Sequence, residues 1–252
     1  MPVATSPETV AAAESPATPG RPPAAALTRG VRLRMVALGL VPPAQVALVV
    51  AAGLAPGSGA GPWTRAAAAL AALYLVPPLL VRAALAAAPV SPGDHPAGSP
   101  PFLRWWFLSQ CQSVFNRLPF LEEALRLIPG LYAAWLRLWG ARVGRLVYWA
   151  PGMRILDRPF LEVGDRAVFG AGVRVNPHVV VRDAEGRWTL QMGPVRVGAD
   201  ALVGGYALLT AGSRVGDGET LPALQVLPPF SVWEGGRRVK PGGERVDDGI
   251  AG

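Results

Sequence analysis

The sequence predicts a mainly β fold, in which a parallel β-coil forms the C-terminal half and an α-helical, membrane-associated region precedes it. Three observations predict this arrangement. Aliphatic residues recur at every sixth position near the C-terminus, two long apolar segments lie in the first ninety residues, and only 16% of the residues are charged while 51% are hydrophobic. A short fixed repeat is typical of solenoid architectures, and apolar segments of this length indicate contact with a bilayer.

Two segments near the N-terminus are long and apolar enough to cross a bilayer. The run MVALGLVPPAQVALVVAAGL occupies residues 35–54, and AAAALAALYLVPPLLVRAALAAA occupies residues 66–88. About twenty apolar residues in a helix span the roughly 30 Å hydrocarbon core, so we expect two transmembrane helices that form a hairpin over residues 31–90. Each segment contains a proline pair, which is expected to kink its helix.

Basic residues at the two ends of the predicted hairpin orient it. Arginines precede the first segment and follow the second: Arg21, Arg29, Arg32, Arg34, Arg104, Arg117 and Arg126. Since basic residues are retained on the cytoplasmic side, we expect a bacterial inner-membrane protein with both termini and the C-terminal domain in the cytoplasm. Arg82 lies near enough to one helix end to reach the headgroups. The alternative for residues 31–56 is a signal peptide, but the run is long, begins late and precedes a second apolar segment.

Three segments are predicted to lack regular structure. Residues 1–30 are rich in Pro, Ala, Ser and Thr with almost no large apolar side chain, so they are predicted to form a disordered tail. The linker at 91–101 contains prolines and glycines, and its His95 is expected to be solvated. Residues 243–252 are predicted to form a flexible C-terminal tail.

Residues 102–140 are predicted to form amphipathic helices. Between residues 121 and 139, apolar residues recur at alternating spacings of four and three, and Pro129 interrupts this stripe. Two short helices are therefore expected there. The nearby tryptophans and arginines suit a membrane interface; they are Trp105, Trp106, Trp135, Trp139, Arg104, Arg117, Arg126 and Arg137. The alternative is that the apolar stripe packs against the domain that follows.

From Val143 onward the apolar residues have a period of six. The clearest run reads VGADAL VGGYAL LTAGSR VGDGET LPALQV LPPFSV, and its leading residues are Val197, Val203, Leu209, Val215, Leu221 and Leu227. Shorter runs lie at 143–155 and 163–181, and the two breaks, LDRPFLE and RDAEGRWTLQMGP, are expected to be loops that leave the coil. One inward aliphatic residue per hexapeptide predicts a short strand and a turn, with three hexapeptides closing a triangular coil of about 18 residues.

Over about residues 140–242 this repeat resembles the hexapeptide-repeat family, whose members fold as left-handed parallel β-helices and are mostly acyltransferases that use acyl-CoA. The segment LPPFSVWEGGRRVK is similar to the end of such domains, although Gly236 and Arg237 stand where Pro-Ala is usual. The segment PGLYAAWLRLWGARVG resembles the helix that enters the coil in polysaccharide-linked acetyltransferases and in membrane-attached hexapeptide domains of nonribosomal-peptide-synthetase-like proteins. The resemblance implies a left-handed β-helix, acyltransferase-like domain at 141–242.

Acyl transfer from a thioester to a hydroxyl or amine needs a base, and a neutral imidazole suits this role. His178 is the only histidine of the repeat domain, and it stands near a corner just before the second break. The catalytic histidine of the resembled family has such a position, so the resemblance assigns this role to His178. Asn176 is placed to hydrogen-bond the ring or the substrate, and Asp183 or Glu185 would orient the imidazole. The alternative is that His178 only caps a turn.

The resemblance also implies an acyl-CoA co-substrate, in particular acetyl-CoA, bound in a cleft between neighbouring coils and often at the interface of a homotrimer. Small residues would let the pantetheine approach the backbone, and basic residues would bind the anionic end of CoA. These candidates are Gly204, Gly205, Ala211, Gly212, Arg237, Arg238 and Lys240. The alternative is that the glycines form corners and the basic residues are solvated. The implied acceptor is glycan- or lipid-linked and lies at the cytoplasmic membrane face.

Other functions are weighed against acyl transfer. A catalytically silent β-helix that serves as a scaffold or assembly module stays open. A metal enzyme of the carbonic anhydrase type on the same coil needs three histidine ligands, so no metal is expected, and the single Cys111 excludes a cysteine-rich site. A nucleotidyltransferase needs a nucleotide-binding domain, and residues 1–140 contain no glycine-rich phosphate loop after a strand. The net charge of +7 is scattered over the chain, which favours contact with anionic headgroups or an anionic ligand over binding of nucleic acid.

Overall fold

The computed structural model describes residues 27–55, 59, 61–183 and 186–239. Helices fill the first half of the chain and short strands fill the second. Most of the predicted N-terminal tail, the whole predicted C-terminal tail and two candidate site residues, Glu185 and Lys240, lie outside the described residues.

Four helices form the apolar hairpin, because a proline pair divides each of its two segments. They are α1 (Arg29–Leu38), α2 (Val41–Leu54), α3 (Pro62–Tyr74) and α4 (Val76–Ala87). Proline lacks the N–H that a helix interior needs, and the proline pairs accordingly stand in the first turns of α2 and α4. The two helical segments, Arg29–Leu54 and Pro62–Ala87, are each 26 residues long, with a mean hydropathy of 2.0 and 1.8 in their most apolar windows. By length and composition alone, both could cross a membrane.

Three further helices connect the hairpin to the coil: α5 (Pro100–Arg117), α6 (Phe120–Arg126) and α7 (Leu131–Trp139). The predicted interruption at Pro129 lies between α6 and α7. Trp105, Trp135 and Trp139 are 5%, 5% and 0% exposed, and they belong to one core that continues into the coil. Of the two alternatives for the apolar stripe, these three side chains follow the second, which is packing against the next domain.

The strands are short, and most contain two or three residues. In chain order they are β1 (Gly93–Pro96), β2 (Arg142–Val143), β3 (Tyr148–Trp149), β4 (Arg154–Ile155), β5 (Leu161–Val163), β6 (Val168–Phe169), β7 (Arg174–Val175), β8 (His178–Arg182), β9 (Trp188–Met192), β10 (Val195–Val197), β11 (Leu202–Val203), β12 (Leu208–Leu209), β13 (Arg214–Val215), β14 (Thr220–Leu221), β15 (Val226–Leu227), β16 (Val232–Glu234) and β17 (Arg237–Val239).

The strands of the repeat stack into a coil with three faces. Strands β2, β5, β10, β13 and β16 form the first face, β3, β6, β11 and β14 the second, and β4, β7, β12 and β15 the third, all in parallel. Val197 pairs with Val215, eighteen residues later, so one uninterrupted coil contains three hexapeptides as predicted. The six leading aliphatic residues, from Val197 to Leu227, are 3% exposed or less. The chain therefore has the predicted parallel coil, whereas its left-handed winding and its membrane association stay predictions.

The corners of the coil recur with the same period of six. From Val197 onward, the fourth residue of every hexapeptide has a φ between 57° and 68°; these residues are Asp200, Tyr206, Gly212, Gly218, Leu224 and Phe230. A left-handed conformation costs a residue with a side chain about 1–2 kcal/mol. Four of the six are not glycine, so stacking of the coils, and not local preference, imposes the turn.

The coil is interrupted twice, both times at the corner between its third and first faces. The first excursion is a single 3-10 turn at Arg158–Phe160, between β4 and β5. The second is the hairpin β8–β9, between β7 and β10, which forms an antiparallel sheet with β1. The first coincides with the predicted break LDRPFLE, whereas the second begins at His178, four residues before the predicted break RDAEGRWTLQMGP. Val181, predicted as an inward residue of the coil, therefore lies in the hairpin and is half-buried. Since Ile155 at the end of β4 pairs with Val175 at the end of β7, the two excursions begin one coil apart at the same corner.

The linker that contains His95 differs from its prediction. Residues Gly93–Pro96 form β1, which pairs with β9, and His95 is 8% exposed instead of solvated. Its Nε2 lies 2.8 Å from the carbonyl oxygen of Ser91. Prolines and glycines indicate a loop only in the absence of a strand partner, and here the extruded hairpin supplies that partner.

Arg158 is fully buried and connects the first excursion to the helices. Its guanidinium donates to Gln112 Oε1 at 3.1 Å and to Asn116 Oδ1 at 2.9 Å, and it forms an ion pair with Glu122. Its backbone N–H donates to the same oxygen of Gln112 at 2.9 Å. Three aromatic rings lie within 5.7 Å of the guanidinium, those of Phe115, Trp135 and Trp139. The buried charge is thus paired, hydrogen-bonded and covered by aromatic rings.

Replacing Arg158 by methionine would leave Glu122 buried without this cation. Removal of one partner of a buried pair costs about 3–5 kcal/mol, and we expect Arg158→Met to lower the free energy of unfolding by roughly that amount. Denaturant titration of the protein in neutral detergent measures it. Arg166→Met is the matched control, because Arg166 pairs with Asp200 at the exposed surface, where an ion pair contributes little. A loss of equal size in both variants would contradict the role of Arg158.

Candidate active site

His178 lies where the second excursion leaves the coil. It is the first residue of β8, paired with Met192 of β9, and its side chain is 20% exposed. This is the corner between the third and first faces, so the histidine has the corner position that the sequence predicted. The remaining exposed fraction leaves the imidazole accessible from one side.

A carboxylate from the first excursion holds the imidazole. Asp157 directly precedes the 3-10 turn, and its side chain is 1% exposed. Its Oδ2 contacts Nδ1 of His178, and its Oδ1 accepts a hydrogen bond from Nε1 of Trp105 at 3.2 Å. The indole of Trp105 also packs on the imidazole, with 4.7 Å between ring centroids. Both oxygens of the carboxylate are therefore used, and the imidazole is fixed by Asp157 and Trp105 together.

The contact with Asp157 determines which ring nitrogen can act as a base. Nδ1–H donates to the carboxylate, so the neutral ring has its lone pair on Nε2. Within the described part of the chain, Nε2 has no hydrogen-bond partner and is not a buried orphan. Burial disfavours the charged imidazole, but the charge of Asp157 and its hydrogen bond outweigh burial, so the pKa of His178 is raised above its ordinary value.

Asp157 is not among the site residues predicted from the sequence, although the sequence contains a signal for it. Asp157 lies in the first break, two residues after Ile155, and His178 lies three residues after Val175, which pairs with Ile155. Aligning the two breaks as successive coils would have brought the two residues together. For Trp105 the sequence gives no such signal, since α5 is placed against this corner by packing and by the long-range contacts of Gln112 and Asn116 with Arg158.

The structure places Asp157, and not Asp183, against the imidazole. Asp183 follows the far end of β8, where its carboxylate accepts hydrogen bonds from N and Nε of Arg187, both at 2.8 Å. It lies five residue steps from His178 along the extended strand, which corresponds to about 17 Å at 3.3 Å per residue. The hairpin thus carries Asp183 away from the corner, and Glu185 lies outside the described residues.

Asn176 stays beside the histidine. Its backbone N–H donates to the carbonyl oxygen of Leu209 at 2.8 Å, which continues the stacking of β7 on β12 just before His178. The residue is half-buried. Its position is compatible with the predicted contact to the ring or the substrate, and that contact stays a prediction.

The residues predicted to bind acyl-CoA do not form one cluster. Ala211 and Gly212 lie at the same corner as His178, one coil further on, and Gly212 N donates to Gly193 O at 2.9 Å directly after β9. Gly204 and Gly205 lie at the corner between the second and third faces. A Cβ on Gly204 would lie 2.3 Å from the backbone N of Ala223 in the next coil, so close stacking accounts for this glycine.

The basic candidates lie beyond the last coil. Arg237 and Arg238 belong to β17, which pairs in antiparallel fashion with β16. The turn between these strands contains Gly236 with φ 70°, a conformation that proline cannot adopt. Lys240 lies outside the described residues.

The described fold is similar to several solved acetyltransferase structures. One is a maltose O-acetyltransferase from Clostridium difficile, at 17% identity, with 46% of this chain and 79% of that chain covered and a TM-score of 0.32. Another is a hexapeptide-repeat-containing acetyltransferase from Vibrio cholerae, complexed with acetyl coenzyme A, at 15% identity, 49% and 82% coverage and a TM-score of 0.36. A serine acetyltransferase from Neisseria gonorrhoeae has 14% identity, 80% and 86% coverage and a TM-score of 0.17. No family model and no curated protein sequence matches this chain.

The protonation of His178 can be measured directly, because the chain has only two histidines. Imidazole resonances, assigned with His95→Gln, should give His178 a pKa above the ordinary value of about 6.5. In Asp157→Asn the pKa should fall below that value, since the amide keeps the burial and removes the charge. A raised folded-state pKa stabilises the fold below the unfolded-state pKa, and this contribution should disappear as the pH rises above about 6.5. An unchanged pKa in Asp157→Asn would contradict the assigned contact.

The structural reason for Gly204 is testable with a matched pair of glycines. Gly204→Ala places a Cβ against the backbone of the next coil, and overpacking of this kind costs about 1–3 kcal/mol. Gly216 has the same place in its hexapeptide, yet a Cβ there meets only the Cγ of the Glu219 side chain at 3.1 Å and no backbone atom within 3.5 Å. We expect a clear loss of thermal stability in Gly204→Ala and a smaller one in Gly216→Ala. Equal melting temperatures would show that stacking does not require Gly204.

Proposed function

We propose that the protein is an acyltransferase that moves an acyl group from acyl-CoA, in particular acetyl-CoA, to a hydroxyl or amine. The observation that supports this most is the pair formed by His178 and Asp157. It combines an imidazole with an accessible Nε2 and a buried carboxylate on Nδ1, which is the arrangement of a general base with an orienting partner. A histidine that only capped a turn would need neither a buried carboxylate nor a packed indole.

In the proposed reaction, Nε2 of His178 removes the proton from the acceptor as its oxygen or nitrogen attacks the thioester carbonyl carbon. The C–S bond then breaks, the acyl group stays on the acceptor, and the CoA thiolate takes the proton from the imidazolium. Asp157 stabilises the imidazolium between these steps. Trp105 acts as a positioning residue, because its hydrogen bond to Oδ1 holds the carboxylate whose Oδ2 contacts the imidazole.

The acyl-CoA site is proposed to start at the corner of His178. Ala211 and Gly212 lie at that corner and would border the thioester end. Gly204, Gly205, Arg237, Arg238 and Lys240 stay more distant candidates for the rest of the co-substrate. In a homotrimer, the exposed apolar residues on the second face, among them Val168 and Leu202, would be covered.

A glycan- or lipid-linked acceptor at the cytoplasmic face of a bacterial inner membrane is proposed on the strength of the apolar hairpin. The segments Arg29–Leu54 and Pro62–Ala87 are only slightly buried in the fold, so most of their apolar surface is unpaired. Burial of this surface in a bilayer is favourable, and it would hold the enzyme where membrane-linked acceptors lie.

Release of thiol from acetyl-CoA, measured against a panel of sugar and lipid-linked acceptors, tests the proposal. We expect acceptor-dependent release, with kcat lowered about 10²–10⁴-fold in His178→Ala. Asp157→Asn should lower the rate. It should also move the rising limb of the pH profile, which reports the pKa of the general base, to lower pH, since the pKa of the imidazole falls. The control is His95→Gln, which changes the other histidine and should keep its activity. Absence of both CoA binding and turnover in the folded protein would favour the silent scaffold.

A further inference from the structure

A second cleft lies away from His178, between α7 and the first coil. Its volume is about 580 Å³, and it is lined by the loop between α6 and α7, by the corner between the first and second faces, and by Tyr148 and Trp149. The His178 pair lies at a different corner of the coil, so the proposed reaction does not use this cleft.

The lining of this cleft is positively charged, although Arg126 forms ion pairs with Glu122 and Glu123 behind it. Arg126, Arg137 and Arg145 contribute to it, and the described lining contains no aspartate or glutamate. Arg137 is occupied by the carbonyl oxygens of Val143 and Gly144, at 3.0 and 2.9 Å. Arg126 is largely paired but its buried Nε has no hydrogen-bond partner. The exposed guanidinium of Arg145 has no partner among the residues the structure describes. Such a lining favours an anionic ligand.

The rim of the cleft is apolar and exposed. Leu127, Ile128, Leu131 and Leu146 are 83%, 57%, 38% and 84% exposed, and they lie within or directly beside the lining segments. A contiguous exposed apolar patch usually marks an interaction surface. A small soluble anion would not contact this rim, whereas a phospholipid has both an anionic headgroup and apolar chains.

A hydrogen bond connects the cleft to the apolar hairpin near the end of α4, where lipid headgroups are expected. Arg82, the only charged residue between positions 66 and 88, donates to the carbonyl oxygen of Arg137 in the wall of the cleft at 3.2 Å. An arginine near the end of an apolar helix places its guanidinium at headgroup level. We propose that the cleft binds the anionic headgroup of a membrane phospholipid, with its chains along the exposed leucines. This inference rests on the proposed membrane association and not on acyl transfer.

Lipid binding to the full-length protein in neutral detergent tests the cleft. The probes are dioctanoyl phosphatidylglycerol, zwitterionic dioctanoyl phosphatidylcholine and inorganic phosphate, each titrated at equal ionic strength. We expect the anionic lipid to bind tightest, and its Kd to rise about tenfold in Arg145→Gln, as expected for loss of a hydrogen bond to a charged group. Arg214→Gln is the control, because it removes an exposed arginine from the first face, outside the cleft. Ala133→Phe, which fills the cleft, should weaken binding without a charge change.

Three results would overturn the proposal: equal affinity for the two lipids, a Kd unaffected by both cleft variants, or inorganic phosphate binding as tightly as phosphatidylglycerol. The last would indicate a site for a free anion. Cell fractionation distinguishes a failure of the cleft proposal from a failure of the proposed membrane association. Protein found in membranes but without preference for the anionic lipid overturns the cleft alone, whereas full-length protein found soluble without detergent overturns the membrane association as well.

Discussion

The burial of Arg158 is the constraint on which the junction between helices and coil depends. A guanidinium without solvent must be paired and hydrogen-bonded, and here the partners come from outside the coil: Gln112 and Asn116 of α5, and Glu122 of α6. The first excursion therefore cannot move without breaking contacts to two helices. This interaction fixes the backbone of the residue just before Arg158, which is Asp157.

The position of Asp157 in turn determines the candidate site. Its carboxylate joins two successive coils through His178 and one helix through Trp105. The helical region is consequently a part of the site and not only a connection to the hairpin. The coil alone would supply the histidine and the aspartate, but it would lack the indole that occupies the second carboxylate oxygen and packs on the imidazole.

The period of six allowed most of the inward residues, the three-sided coil, its first break and the corner position of His178 to be predicted. The second break begins earlier than predicted, because Val181 pairs in the hairpin and does not enter the coil. The period did not allow the residues that stack on one another in successive coils to be predicted, because the breaks change the length of the coils that contain them. On the first face, Val143 pairs with Val163, Val163 with Val197 and Val197 with Val215. The three successive coils are therefore 20, 34 and 18 residues long. Only the last spacing follows from the repeat. Asp157 becomes a neighbour of His178 only when the two breaks are aligned as successive coils. The strand around His95 depends on pairing with a distant hairpin, which the local sequence does not indicate.

Adjacent tryptophans on α5 connect the site to the apolar hairpin. Trp105 donates to Asp157, while Nε1 of Trp106 donates to the carbonyl oxygen of Met35 in α1 at 3.2 Å. Neighbouring residues on a helix point about 100° apart, so one rigid element contacts the coil on one side and the hairpin on another. In the proposed function, with the hairpin in the bilayer, this connection gives His178 a fixed height and orientation relative to the membrane. The reach of an acceptor from the bilayer to Nε2 would then be set by α5, and not by the linker at 91–101.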